Sequence, residues 1–412
     1  MRFPKSIGVG IGWLGIICLP CLLSAQVKVV TLDQPIAQGE IVKIEKKESL
    51  FLVLKTGAAQ KSINCLDIVE VVCQEAATQP SEIPCIVMND GSRLYGKIVD
   101  GTDNAIAIQS AAIGIVTLGI SKIREIRLKN GLDELDLIPD SDVLYFKTGD
   151  VMTGAIEQFG KDYVQIQHPQ LGSRKEALEK LTRIVLAQLE TPPQRSDRLT
   201  AVLLAVDQTR LFGELIEVQK GGLLFEVQYL QQKIVVPFNQ IQRLFFINGR
   251  FKYLSDLPAN QYQFAYIPYF EGGKNEAFLP RLDQNWARKI MRLGGQVFYK
   301  GIGVISRTEI KIALKGEYRR FQACLGIDDM VKEVMELNLG FPWVGGSVIF
   351  QIFADGVKLF DSGVVRYSNA PKIVDIDVAG KNSLLLVVDW ADQDSPGFAN
   401  DFANWAGARL VK

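Results

Sequence analysis

A glycine recurs at Gly39, Gly96, Gly154 and Gly213, at intervals of 57, 58 and 59 residues, and its surroundings recur with it. A period in this range marks a chain built from copies of one supersecondary unit. Three copies are plain, at Ile86 to Ile98, Val143 to Ile156 and Val202 to Leu215; a fainter first copy surrounds Gly39-Glu40-Ile41. Each opens on an apolar strand that meets a tight turn, such as Asn89-Asp90-Gly91 or Thr148-Gly149-Asp150, the signature of a hairpin. A second strand crosses the marked glycine, where a bulge or sharp bend is expected. A third alternates, as in Ala105-Ile106-Ala107-Ile108. A short polar piece such as Ala177-Leu178-Glu179-Lys180 predicts one helical turn, and an apolar strand such as Ile123 to Leu128 closes the copy. Four or five strands in about fifty residues predict a small, strongly bent barrel. Four such units are expected at 26–75, 85–130, 142–190 and 199–248, with a proline in each linker between them to break strand pairing.

Composition narrows the function classes. Basic and acidic residues balance at 46 each, so there is no electrostatic footprint for nucleic acid or an anionic membrane. His168 is the single histidine, which disfavours acid–base catalysis near neutral pH and zinc binding alike. A pair of carboxylates would still suffice for glycoside hydrolysis. The N-terminus carries Arg2 and Lys5, an apolar run from Ile7 to Leu23, and Ser24-Ala25-Gln26. That order reads as a secretory signal peptide over 1–25, cleaved after Ala25. An uncleaved anchor is the alternative, but the run is short for a membrane span and is broken by Gly8, Gly10, Gly12, Gly15 and Pro20. No later segment is apolar enough to span. Export would place the protein outside the cell, in a periplasm or at the cell surface, and would permit disulfides among Cys65, Cys73, Cys85 and Cys324. Buried free thiols are the equal alternative.

The repeats loosely resemble SH3- and Sm-like barrels, on the short hairpin and internal glycine alone. Sm proteins bind RNA, which balanced charge and export argue against here. The repeats are therefore expected to act as spacers or as a platform for protein partners. The last third is more specific. Tyr253-Leu254-Ser255-Asp256-Leu257, Tyr299-Lys300-Gly301-Ile302-Gly303-Val304, Tyr318 to Asp328, Val348 to Gly356, Asp361-Ser362-Gly363-Val364 and Asn400 to Leu410 occur in order across 250–412. Together they resemble the NPCBM family of carbohydrate-binding modules. The resemblance implies a galactose-binding-like β-sandwich, or jelly roll, that recognises glycans and has no active site. The whole chain is thus expected to be all-β and non-enzymatic. Two departures stand out. Ile305 takes the place of a family histidine, and Asp401-Phe402-Ala403-Asn404-Trp405 replaces the usual Asp-His-Ala-Asp-Trp ending. Any polar site built on those residues is put in doubt.

All tryptophans after the signal lie in this last third: Trp286, Trp343, Trp390 and Trp405. Indole faces stack on the C–H faces of sugar rings, and the N–H bonds a hydroxyl. Trp405 reads as core, from its place in an alternating apolar strand. Trp343 and Trp390 sit in or beside Gly- and Pro-containing loops and are the expected carbohydrate contacts. Tyr262, Phe264 and Tyr266 share one strand face by period two and read as core. Asp389, Asp392, Asp394, Asn400 and Asp401 form an oxygen-rich cluster suited to calcium, and the family resemblance implies a structural calcium ion there; a plain solvated acidic loop is the alternative. The adjacent Asp328-Asp329 pair reads as structural, since neighbours on a strand face opposite ways. The main rival to glycan recognition is a protein–protein scaffold whose sandwich has lost its sugar site; a third possibility is an accessory subunit of a glycoside hydrolase.

Overall fold

The computed structural model describes residues 26–33, 36–74, 83–129, 139–187, 198–219, 221–266, 278–336, 346–391 and 400–412. The signal-peptide segment, Trp343, Asp392 and Asp394 lie outside the described residues. Helix is confined among them to Asp329–Glu336 and six short 3-10 turns; the rest of the regular structure is antiparallel β. None of the described helices is long and apolar enough to cross a membrane.

The N-terminal part is four units of five strands, except that the second strand of the second unit is interrupted at Gly96 into Arg93–Tyr95 and Lys97–Gly101. In the first, Gln26–Thr31, Ala37–Lys46, Leu50–Thr56 and Ala59–Asn64 lead through the 3-10 turn Cys65–Asp67 to Ile68–Val72. The other three repeat this order, with 3-10 turns at Ile120–Lys122, Leu178–Lys180 and Phe238–Gln240. The fifth strand pairs with the first in each, and the remaining strands follow in sequence. Gly39, Gly96, Gly154 and Gly213 recur because the third strand passes over them. A Cβ there would lie 2.7, 2.7, 2.3 and 2.0 Å from the carbonyl oxygens of Lys55, Gln109, Gln167 and Glu226. Each second strand then bulges, between Ile41 and Lys43, Ile98 and Asp100, Ile156 and Gln158, and Leu215 and Glu217. The bulge thus follows the glycine rather than coinciding with it, and bends the strand into a second layer.

The expected barrels do not close. Among the described residues each fourth strand pairs only with the third. Fifth strands give their outer edges to a neighbouring unit instead. Unit 2 pairs with unit 3 about Ile126 and Ile184, and unit 1 with unit 4 about Val71 and Leu244. Units 2 and 4 meet through their hairpins at Arg93 and Arg210. The spatial order is therefore 3-2-4-1, and one apolar core runs through all four units.

Charge accompanies this order. The third residue of the fifth strand is Glu70, Glu125, Arg183 and Arg243 in units 1 to 4, so each edge-to-edge joint brings a Glu to an Arg. Arg243 Nη1 lies 2.7 Å from Glu70 Oε2, and Arg183 Nε 2.8 Å from Glu125 Oε1. Arg127 completes a buried triad, donating from Nε and Nη2 to the two Glu125 oxygens at 2.9 and 3.1 Å.

Besides a separate hairpin of Met291–Leu293 and Gln296–Phe298, residues beyond Gly249 form two facing antiparallel sheets. One holds Phe251–Tyr253, Arg281–Leu282, Gly301–Val304, Arg320–Ile327, Lys372–Asp377 and Ala403–Val411; the other holds Tyr262–Tyr266, Thr308–Ala313, Ser347–Ala354, Val357–Arg366 and Ser383–Trp390. Alternation aims Val348, Phe350 and Ile352 inward. Trp405 is fully buried there, edge-on to Phe350 with ring centroids 5.1 Å apart. Tyr262 and Phe264 flank the same core. Phe251, Tyr253 and Val411 pack on Leu32 and Val69 of unit 1, seating the sandwich on the repeats. Cys65, Cys73, Cys85 and Cys324 are all free thiols.

Candidate functional site

Trp390 closes the strand Ser383–Trp390, opposite Val348, at one end of the sandwich. Its indole is half-buried, and the Arg307 guanidinium carbon sits 4.7 Å from the ring centroid. Arg307 is aimed by a tight loop: it adopts φ +65°, and Thr308 Oγ1 donates to Ile305 O at 2.6 Å behind it. The neighbouring Ser306 is 1% exposed and keeps its hydroxyl without a hydrogen-bond partner. A cation against one indole face is worth about 0.5–1 kcal/mol where the pair is partly exposed, so Arg307 helps to hold Trp390 in place. Arg307 was not legible as a site residue, because no spacing links it to Trp390.

The acidic residues at this end hold backbone. Asp401 is 3% exposed and accepts the Ser347 N–H at 2.8 Å. Asp389 Oδ1 accepts the Trp390 N–H at 2.9 Å. Asn400 clamps against Gly346, where a Cβ would meet the Asn400 carbonyl oxygen at 1.9 Å. Asp389 and Asp401 are the described pair of the expected calcium ligands, and one oxygen of each serves a main-chain amide. No group of three or more metal-ligating side chains is gathered among the described residues. Asp328 accepts from Arg292 N, Met330 N and Asn404 Nδ2, and Asp329 accepts the Gly294 and Gly295 N–H groups at 2.8 and 2.7 Å. Both shape turns. The amide at 404 has a reason: Nδ2 lies 2.7 Å from Asp328 Oδ2, where a carboxylate would meet another carboxylate.

The two departed histidine positions are apolar in place as well as in type. Ile305 is 1% exposed. Phe402 stacks on Trp286, with centroids 5.0 Å apart and planes 12° apart, and Trp286 stacks in turn on Phe278 at 6.2 Å. Trp286 Nε1 is buried without a partner. The sequence singled out neither Trp286 nor this stack. Its signal is the Phe402 substitution itself: a ring in place of imidazole needs another ring to cover it. The geometry offers indole faces and hydrogen-bond donors, suited to binding; Asp328, Asp329, Asp389 and Asp401 each accept from a main-chain amide.

Comparison with known proteins places this end in context. Residues 251–411 match the NPCBM/NEW2 domain. A Renibacterium salmoninarum protein named for endo-alpha-N-acetylgalactosaminidase activity is 24% identical over 121 residues, which cover 29% of this chain and 7% of that protein. The chain therefore spans a small part of the curated relative that it matches. Among solved structures, the CBM51-2 and INT domains of Clostridium perfringens ZmpB are 28% identical, covering 39% of this chain and 31% of theirs, with a TM-score of 0.32. The CBM51 of Clostridium perfringens GH95 in complex with methyl-galactose is 26% identical, covering 39% of this chain and 99% of its own, with a TM-score of 0.31. The family match itself carries the assignment: the C-terminal part of this chain, residues 251–411, is an NPCBM/NEW2 domain.

Proposed function

We propose that the protein is exported and binds glycans without catalysis, through the loop end of its C-terminal sandwich. Trp390, braced by Arg307, supplies a stacking face, and Trp343 a second. The observation that carries this is an indole anchored at the loop end of a carbohydrate-binding-module domain. A structural calcium ion would be held by Asp389, Asp392, Asp394 and Asp401. The four units act as a spacer or protein-binding platform. Their strand order and 3-10 turns support SH3- or Sm-like barrels left open. Titrating the full chain with galactose, N-acetylgalactosamine, N-acetylglucosamine and a wider glycan panel, with and without calcium, tests the idea by tryptophan fluorescence. A saturable shift with one sugar class, lost in Trp390→Ala, is expected. A folded protein that answers no glycan, or a Trp390→Ala variant that binds like the parent, would refute it. Buried Ile305 and stacked Phe402 favour the second reading, a protein–protein scaffold with a degenerate sugar site, and a silent panel would leave that reading standing. A chain that binds glycan only when joined to a hydrolase would instead be an accessory subunit.

A further inference from the structure

The joint between units 2 and 4 has a two-fold pattern. Arg93 faces Arg210 across it. Tyr95 N–H donates to Thr209 Oγ1 at 3.0 Å, and Phe212 N–H donates to Ser92 Oγ at 3.4 Å. Counted back from Gly96 and Gly213, the paired positions are the same: four residues before the glycine for the hydroxyl, three for the arginine and one for the amide. Ser92 and Thr209 are fully buried by the joint. Each unit also lays its third-to-fourth-strand hairpin tip against the other. Ser110 Oγ donates to Asp207 Oδ2 at 3.2 Å, and Lys122 Nζ donates to Tyr229 O at 2.6 Å. The tip residues Ile113 and Leu230 pack onto the shared core.

Unit 3 carries the same face, and among the described residues no other unit lies on it. Three residues before Gly154 stands Val151, 55% exposed, and at its hairpin tip, in the place of Ile113 and Leu230, stands Leu171, 52% exposed. Asp150 occupies the Ser92 position and Thr153 the Tyr95 position, both exposed. Unit 1 shares the apolar residue three before its glycine, Ile36, 59% exposed, but it lacks the rest of the face. Its turn is engaged by the sandwich, through Asp33 with Arg320 and Leu32 with Phe251 and Tyr253, and its hairpin tip, Gly57-Ala58, has no large apolar residue.

We propose that the unit 3 face binds the unit 3 face of a second copy of this chain, reproducing the joint between units 2 and 4 as a true two-fold dimer contact. A face that is complementary to its own repeat needs no other partner to bury its apolar residues. Val151 would face Val151 of the other copy, as Arg93 faces Arg210. Leu171 would cover the partner's turn, and the Asp150 carboxylate would accept the partner's Thr153 N–H, as the Ser92 hydroxyl does from Phe212. An open strand edge would be covered in the process.

The test is the mass of the full chain in solution, by light scattering across a dilution series. The wild type is expected at twice the mass of one chain, returning to one on dilution. Val151→Asp with Leu171→Asp would place like charges across the axis and give monomer, with a melting curve that matches the wild type once the latter is diluted to monomer. A Val151→Cys variant should form an intermolecular disulfide on mild oxidation, because directly opposed residues on adjacent strands have Cα atoms within disulfide reach. The unmodified chain, carrying its native thiols, is the control. A wild type that stays monomeric throughout, or a dimer that survives Val151→Asp with Leu171→Asp and does not cross-link through Val151→Cys, would overturn the proposal.

Discussion

Replacing Glu125 by methionine should be among the most damaging single changes available in the repeats. Glu125 is 2% exposed and is bonded to both Arg127 and Arg183, whose side chains are 11% and 8% exposed. Those arginines are Cα partners across the joint between units 2 and 3. Methionine keeps the volume but leaves two guanidinium groups facing each other away from water. Removing one partner of a buried ion pair costs about 3–5 kcal/mol, since the remaining charge loses its compensation. Over an N-terminal region of this size, each kcal/mol lowers the melting temperature by about 2–4 °C, so a fall of about 6–20 °C follows. Arg183→Met removes one arginine and leaves the two-point Glu125–Arg127 contact intact, so it should cost only about 1–2 kcal/mol. Calorimetry of the full chain, with the sandwich transition as internal reference, would measure both. If Glu125→Met proves no more damaging than Arg183→Met, the triad does not carry the charge balance of the joint and the reasoning fails.

Other outcomes can be stated more briefly. Gly213→Ala would push a Cβ to 2.0 Å from Glu226 O and should destabilise unit 4 by about 1–3 kcal/mol; an unchanged melt would show that the third strand can move aside. Burial pushes the Cys65 and Cys73 thiols up to about 12 and Cys324 up to about 11. Alkylation at pH 8 should therefore leave these three unlabelled in the folded chain and label them in denaturant, with fast native labelling of any of them as the contrary result. The Asp361 carboxyl is held down at about 2, first by the Gly363 N–H and then by Lys358 and Gln351. Because the folded value is depressed, its contribution to stability is present above the ordinary carboxylate range and is lost as pH falls toward 2. An NMR titration that places Asp361 near 4 would contradict this.

Several features of the fold were readable along the chain because their causes are local. The strand alternation of Ala105-Ile106-Ala107-Ile108 puts Ile106 and Ile108 in the core, and the short polar segments before each closing strand are 3-10 turns. The motif order from Tyr253 to Leu410 identified the C-terminal domain. The glycine period was visible, but its reason was not, since it depends on a strand about fourteen residues further along passing over each glycine. Closed barrels were expected from strand count alone. Whether a sheet closes depends on what its edges meet, and here the fifth strands meet each other. At the loop end, Trp390 could be picked out by its surroundings in sequence, whereas its contact with Arg307 joins residues more than eighty positions apart.

By itself, then, the sequence determined the all-β character and the family of the last domain, because alternation, turn residues and motif order act over a few residues at a time. Tertiary structure alone decided the spatial order 3-2-4-1, the charge-matched joints and the stacking of Phe402 on Trp286. Glu70, Glu125, Arg183 and Arg243 stand at one position of the repeat, but pairing among four similar edges is a competition between distant segments. That competition is settled only when burial removes water from the charges and makes a mismatched pair costly.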